Sequence, residues 1–131
     1  IRREKATSNI CSNQALNALA VNMALAALGK CGLQQMANQC LQKAHYAYEK
    51  LTSLPGVEGT FSGKPFFKEF VITLPKDPEE INQGLLKEKI IGGLPLKRFY
   101  PELTNGLLVC VTELRTKEEI DLLADRLGGL I

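Results

Sequence analysis

Metal and acid–base chemistry have little to work with in this chain. It holds one histidine, His45, and no two of Cys11, Cys31, Cys40 and Cys110 stand at C-x-x-C spacing. A zinc site is therefore poorly supported. No Ser-His-Asp set stands in a useful context. Gly92-Gly93 lacks both phosphate-loop spacings, G-x-x-x-x-G-K-[ST] and G-x-G-x-x-G. The net charge is only +2, and Lys and Arg are scattered among Asp and Glu without an aromatic-interleaved basic patch. Nucleic acid is not an expected partner. Signal-peptide features, internal repeats and low-complexity tracts are also missing. The most pronounced gap is local: from Ala6 to Gly29 there is no Asp, Glu, Lys or Arg. That run invites a membrane reading, but Thr7, Ser8, Asn9, Ser12, Asn13, Gln14, Asn17 and Asn22 make it too polar for lipid. A helix buried inside protein fits it better, and no membrane partner is expected.

The 131 residues suit one domain, 1–131, and 45% hydrophobic with 23% charged residues is ordinary for a globular chain that builds a core. Opening on Ile rather than Met, the chain reads as the C-terminal piece of a longer protein. All four cysteines sit in apolar-patterned stretches, so reduced core thiols in a cytoplasmic protein are expected.

The periodicity predicts a helix over about 8–28, apolar on most sides and hence buried on most sides. Asn9, Asn13 and Asn17 recur at i, i+4 and i+8 as a polar stripe on it. The stripe marks either satisfied amides bonding neighbouring loops or a subunit contact or cleft. Gly29 is expected to end this helix. A second helix, about 33–53, carries an apolar stripe from Leu33 through Cys40, Ala44 and Ala47 to Leu51, with His45 near the polar boundary as a structural residue. Strands follow: a short edge strand at 57–61 and a stronger one at 66–74, with Phe66, Phe70, Ile72 and Leu74 on one face. Asp77-Pro78-Glu79-Glu80 opens a third helix, with Asp77 as cap, Glu80 completing a capping-box-like pair, and Ile81, Leu85 and Leu86 as contacts. Ile90-Ile91 reads as a short strand and 96–100 as extended. Thr104-Asn105-Gly106 is a turn, and 107–112 is a strand apolar on both faces. Thr116-x-x-Glu119 is a capping box opening a last helix that buries Ile120, Leu123, Ala124 and Leu127. The order α-α-β-β-α-β-(β)-α predicts an α+β fold, with helices packed on one face of a mostly antiparallel sheet.

No complete active site assembles from these residues. The carboxylates at helix starts, Glu79, Glu80, Glu118, Glu119 and Asp121, are explained by capping. Thr7, Ser8 and Asn9 stand at the mouth of the first helix, where hydroxyls, an amide and free N–H groups suit an anion.

The opening block R-R-E-K-A-T-S-N-I-C-S-N-Q-A-L-N-A-L resembles the first (alpha) subunit of the two-subunit glycine decarboxylase P proteins. Lys43-Ala44-His45-Tyr46, Phe67-Lys68-Glu69-Phe70, Gly92-Gly93-Leu94-Pro95-Leu96, Phe99-Tyr100-Pro101-Glu102-Leu103, Val111-Thr112-Glu113 and Thr116-Lys117-Glu118-Glu119-Ile120 match the same family in the same order. Ser12 replaces an expected threonine and keeps the hydroxyl. Lys68 stands where a small polar residue is commoner.

The resemblance implies the small C-terminal domain of a fold type I pyridoxal-phosphate enzyme. It further implies pyridoxal-phosphate-dependent decarboxylation of glycine, with the aminomethyl group passed to the lipoyl arm of H protein. Subunit 2 (beta) would be the partner carrying the cofactor lysine, so this chain alone would be inactive, with no catalytic residue of its own. Helix 8–28 becomes an interface helix. Thr7, with Ser8 or Asn9, would hold the partner's cofactor phosphate in trans, with Arg3 or Lys5 adding charge; the other reading has the cluster only cap the helix and pack the interface. Gly92-Gly93 and Arg98-Phe99-Tyr100 would either border the substrate channel or serve as structural turns. A different class also stays open: a stand-alone ligand-binding or regulatory α+β module.

Overall fold

The computed structural model describes Glu4 and residues 14–131, arranged as two units, Ile1–Gln35 and Met36–Ile131. Helix α1 runs Gln14–Thr52, and strand β1 is Glu58–Gly59. They are followed by β2 (Glu69–Thr73), helix α2 (Pro78–Lys87), β3 (Leu94–Pro95), β4 (Gly106–Cys110) and helix α3 (Lys117–Gly128). In the first unit, α1 is broken at Gly29, whose φ of 61° lies in the left-handed region that a residue without Cβ enters cheaply. The expected interruption is there, although helix resumes at once.

In the second unit the four strands form one sheet in the order β1-β2-β4-β3, antiparallel throughout. Phe70 opposes Val109 and Ile72 opposes Leu107. Those four, with Leu74 and Val111, form the inner face of the core. Helices cover that face. Ala44, Ala47 and Leu51 come from α1, Ile81 and Leu85 from α2, and Ile120, Ala124 and Leu127 from α3. Each fully buried Leu or Ile side chain is worth about 1.5–3 kcal/mol. The helices-on-a-sheet architecture agrees with the sequence.

Several local expectations need correction. Residues 107–112 are not closed on both faces: Leu108 is half-buried and Cys110 exposed, since the helix residues that join the core pack on the other face. Ile90-Ile91 is no strand; the edge strand is Leu94–Pro95. Residues 96–100 are not extended, since the N–H groups of Phe99 and Tyr100 both donate to the Leu96 carbonyl at 2.8 Å and curl the backbone into a turn. Leu86 points outward, and Asp77 Oδ1 accepts from the Glu79 N–H rather than pairing reciprocally with Glu80. The Thr116–Glu119 capping box forms as read, with both bonds made. Among the described cysteines Cys40 is a core thiol, whereas Cys31 and Cys110 are free and exposed; Cys11 lies outside the described residues.

The end of α2 explains why Ile90 does not extend. The Lys89 N–H donates to the Leu86 carbonyl at 2.9 Å and the Ile90 N–H to the Leu85 carbonyl at 3.0 Å. Lys89 has φ of 62°, the one positive value outside glycine among the described residues. This is a Schellman ending with lysine at the position glycine usually takes. Ile90, two residues past the helix, packs back on the core. Lys89→Gly is expected to raise stability by about 0.5–1 kcal/mol, since a side chain in the left-handed region costs about 1–2 kcal/mol and glycine's extra chain entropy offsets part of the gain. A denaturant midpoint that falls instead would count against a strained Lys89.

Candidate functional site

Three features of the described chain stand apart from ordinary core and surface. The first is α1 within residues 14–35. Leu16, Leu19, Val21, Met23, Leu25 and Leu28 are between 41% and 73% exposed, and they point to different sides of the helix. The expected burial is therefore not supplied by the described residues. An apolar helix with no charge before Lys30 needs cover from elsewhere. By length and composition α1 is also long and apolar enough to cross a membrane. Asn17 lies exposed on it, whereas Asn9 and Asn13 of the predicted stripe fall outside the described residues.

The second feature is a set of polar contacts tying α1 to the segment around α3. The Cys40 thiol donates to Glu113 Oε2 at 3.1 Å, and Lys43 Nζ donates to the Glu113 carbonyl. Burial pushes the Cys40 thiol pKa up, with the Glu113 carboxylate adding to the effect. The thiol therefore stays protonated and acts as the donor. Farther along, the Tyr46 hydroxyl donates to Asp121 Oδ1 at 2.6 Å, while Lys117 and Lys50 pair with the same carboxylate and lie over the Tyr46 ring. The Lys117 bond, then the Tyr46 bond, hold Asp121 below the usual carboxylate range. Asp121 is thus more than a helix-start charge. Apart from the i,i+4 pair Lys117–Asp121, the partners named by hydrogen bonds are 70 to 75 residues apart in sequence, so no spacing rule points to them. They clamp α1 to α3 and to the segment before it, and Lys50 and Asp121 also border an open surface cavity between α1 and α3.

The third feature is a half-open cavity of about 250 Å³ beside β2, lined by Tyr48, Phe61, Phe66, Phe70, Val71 and Leu108, with Lys64 and Glu69 among its walls. Its aromatic side is one packed cluster. Phe66 lies 5.3 Å from Tyr48 and 5.4 Å from Phe70, and His45 stacks on Phe66 at 4.2 Å. His45 Nε2 also lies 3.4 Å from the Phe66 carbonyl, in keeping with a structural histidine.

The predicted site residues Thr7, Ser8 and Asn9, with Arg3 and Lys5, lie outside the described residues. Gly92-Gly93 does make a close approach. A Cβ on Gly93 would stand 2.4 Å from the Leu108 carbonyl oxygen. The Gly93 carbonyl accepts from Asn82 Nδ2 at 2.9 Å. Those contacts give the pair a structural role, and Arg98, Phe99 and Tyr100 sit exposed on the following turn.

The described residues do not compose a pyridoxal-phosphate site. The N-termini of α2 and α3, the natural phosphate cradles, are filled by Asp77 and by the Thr116–Glu119 pair. The one lysine in the aromatic cavity, Lys64, shares it with the carboxylate of Glu69, which would repel a phosphate. No group of three or more His, Cys, Asp and Glu side chains converges among the described residues.

Comparison with known proteins places this geometry. The family model described as glycine cleavage system P-protein matches residues 1–127. A probable glycine dehydrogenase (decarboxylating) subunit 1 from Carboxydothermus hydrogenoformans is 61% identical over 98% of the chain. The protein of the same description from Desulfitobacterium hafniense is 59% identical over 99%. The chain spans 28% and 29% of the length of these two curated relatives. Among solved structures, the inhibitor-bound glycine decarboxylase (P-protein) of the glycine cleavage system superposes over the whole chain and 29% of its own, with a TM-score of 0.83 and 39% identity. A C-DES mutant with glycine covalently linked to its PLP cofactor shares the fold over 86% of this chain and 27% of its own, with a TM-score of 0.65 and 20% identity. A match over nearly every residue, from the charge-free helix to the capped α3, means that this chain belongs to the glycine cleavage system P-protein family.

Proposed function

We propose that this chain is part of subunit 1 of a glycine dehydrogenase (decarboxylating), a pyridoxal-phosphate enzyme that decarboxylates glycine and passes the aminomethyl group to the lipoyl arm of H protein. The observation that carries the reading is the 61% identity over 98% of the chain to a relative described as that subunit. In this reading subunit 2 holds the cofactor, and this chain supplies scaffold and interface. The exposed apolar residues of α1 support an interface on that helix. Asn17 and Asn22 favour protein over lipid around α1, because amides in hydrocarbon are costly and amides at an interface find bonding partners. The cytoplasm is the proposed compartment, consistent with the free thiols of Cys31, Cys40 and Cys110.

The test is reconstitution. Glycine-dependent bicarbonate exchange is expected only when the intact subunit 1 is mixed with subunit 2, and the two should co-purify. A subunit that stays monomeric and leaves exchange by subunit 2 unchanged would support the stand-alone module instead. Within the assembled enzyme, Thr7 with Ser8 or Asn9 is proposed to contact the cofactor phosphate in trans. Thr7→Val is then expected to weaken cofactor affinity about tenfold, the loss of one hydrogen bond to a charged group. Unchanged affinity would leave the cluster a helix cap.

A further inference from the structure

The proposed function assigns no role to the cavity beside β2, and its walls have a definite chemistry. Phe61, Phe66, Val71 and Leu108 make the lining mostly apolar, while one cation, Lys64, and one anion, Glu69, stand at the same cavity. Neither takes part in an ion pair among the described residues. The volume of about 250 Å³ lies just below the range of about 300–1,000 Å³ typical of drug-sized ligand pockets. The space limits an occupant to a small metabolite, the lining asks for an apolar body, and the two charges ask for one group of each sign.

We propose that this cavity is an effector site for a free amino acid with a bulky apolar side chain, its carboxylate on Lys64, its ammonium on Glu69 and its side chain against Phe61, Phe66 and Leu108. Both charges are needed, so a peptide end, which carries only one of them beside its bond, is a poor ligand. Glycine is also a poor ligand, because it has no side chain to displace water from the aromatic wall. The site therefore separates an effector from the substrate of the proposed reaction; its role as an effector site rests on that reaction, whereas binding is read on the subunit itself.

The experiment is calorimetric titration of intact subunit 1, alone and in complex with subunit 2, with L-leucine, L-phenylalanine and glycine, and with N-acetyl-leucine and leucinamide as single-charge probes. Saturable binding of leucine or phenylalanine is expected, at least about tenfold tighter than of glycine or either single-charge probe, since one charge-assisted contact is worth about a factor of ten or more. Lys64→Ala and Glu69→Gln, both at exposed positions, are each expected to weaken leucine binding about tenfold while leaving the melting temperature unchanged. Equal affinity for leucine and N-acetyl-leucine, no saturable binding, or binding insensitive to both variants would each overturn the proposal. A site open in the free subunit but closed to leucine in the complex would overturn it as an effector site of the enzyme.

Discussion

Met23→Asp and Leu25→Asp, made separately, are each expected to abolish bicarbonate exchange in the proposed two-subunit enzyme once reconstituted, with losses of at least about a hundredfold. The two residues are two positions apart and so project about 200° from one another around α1. Both are exposed on the described chain, at 65% and 44%. An unpaired charge enclosed by protein costs several kcal/mol, and about 2.7 kcal/mol already gives a hundredfold loss of assembly. Aspartate's weaker helix propensity adds only about 0.5 kcal/mol, so folding of the helix is not the issue. The thermal transition of the second unit should stay in place, because neither side chain belongs to its core. Exchange that survives either variant would show that α1 is covered on one side only and would remove the enclosed-helix interface.

Gly93→Ala is expected to destabilise the sheet-bearing unit by about 3 kcal/mol, the upper end for overpacking. Its new Cβ would meet the Leu108 carbonyl oxygen at 2.4 Å and Leu107 Cγ at 3.1 Å. The first of these is backbone in β4, already paired with Val71 on one side and Leu94 on the other, so it cannot retreat without opening two ladders. For a unit of this size, such a loss lowers Tm by roughly 12–24 °C. Gly129→Ala serves as the control. The nearest atoms to its Cβ are at 3.6 and 3.8 Å and its backbone is right-handed, so a shift within about 0.5 kcal/mol is expected. Equal melting temperatures for the two variants would mean that β3 and β4 are not held at this spacing.

The parts of the fold carried by local chemistry were legible from residues alone. Asp77-Pro78 and Thr116-x-x-Glu119 mark helix starts because their side chains satisfy orphan N–H groups within a few residues. Phe70, Ile72 and Leu74 mark the inner sheet face by simple alternation. What escaped depends on tertiary partners. Ile90 looks β-like, yet its N–H is taken by Leu85 and its side chain by the core. Leu107–Val111 looks buried on both faces because half-buried Leu108 is as apolar as the residues beside it. The family resemblance was legible end to end, whereas the residue roles it implies at Thr7, Ser8 and Asn9 lie outside the described residues. The aromatic cavity gathers residues from 48 to 108, and no linear pattern announces it.

The sheet edges bear on how this chain behaves when expressed alone. β1 and β3 are two residues each, and β3 includes Pro95, which has no N–H to offer. Neither is long enough to template a strand from another molecule. Self-association therefore falls to the oily helix rather than to the sheet. The resulting clusters would be micelle-like, dispersed by mild detergent and negative for amyloid dyes, and solubility is to be sought by shielding α1 rather than by redesigning strands.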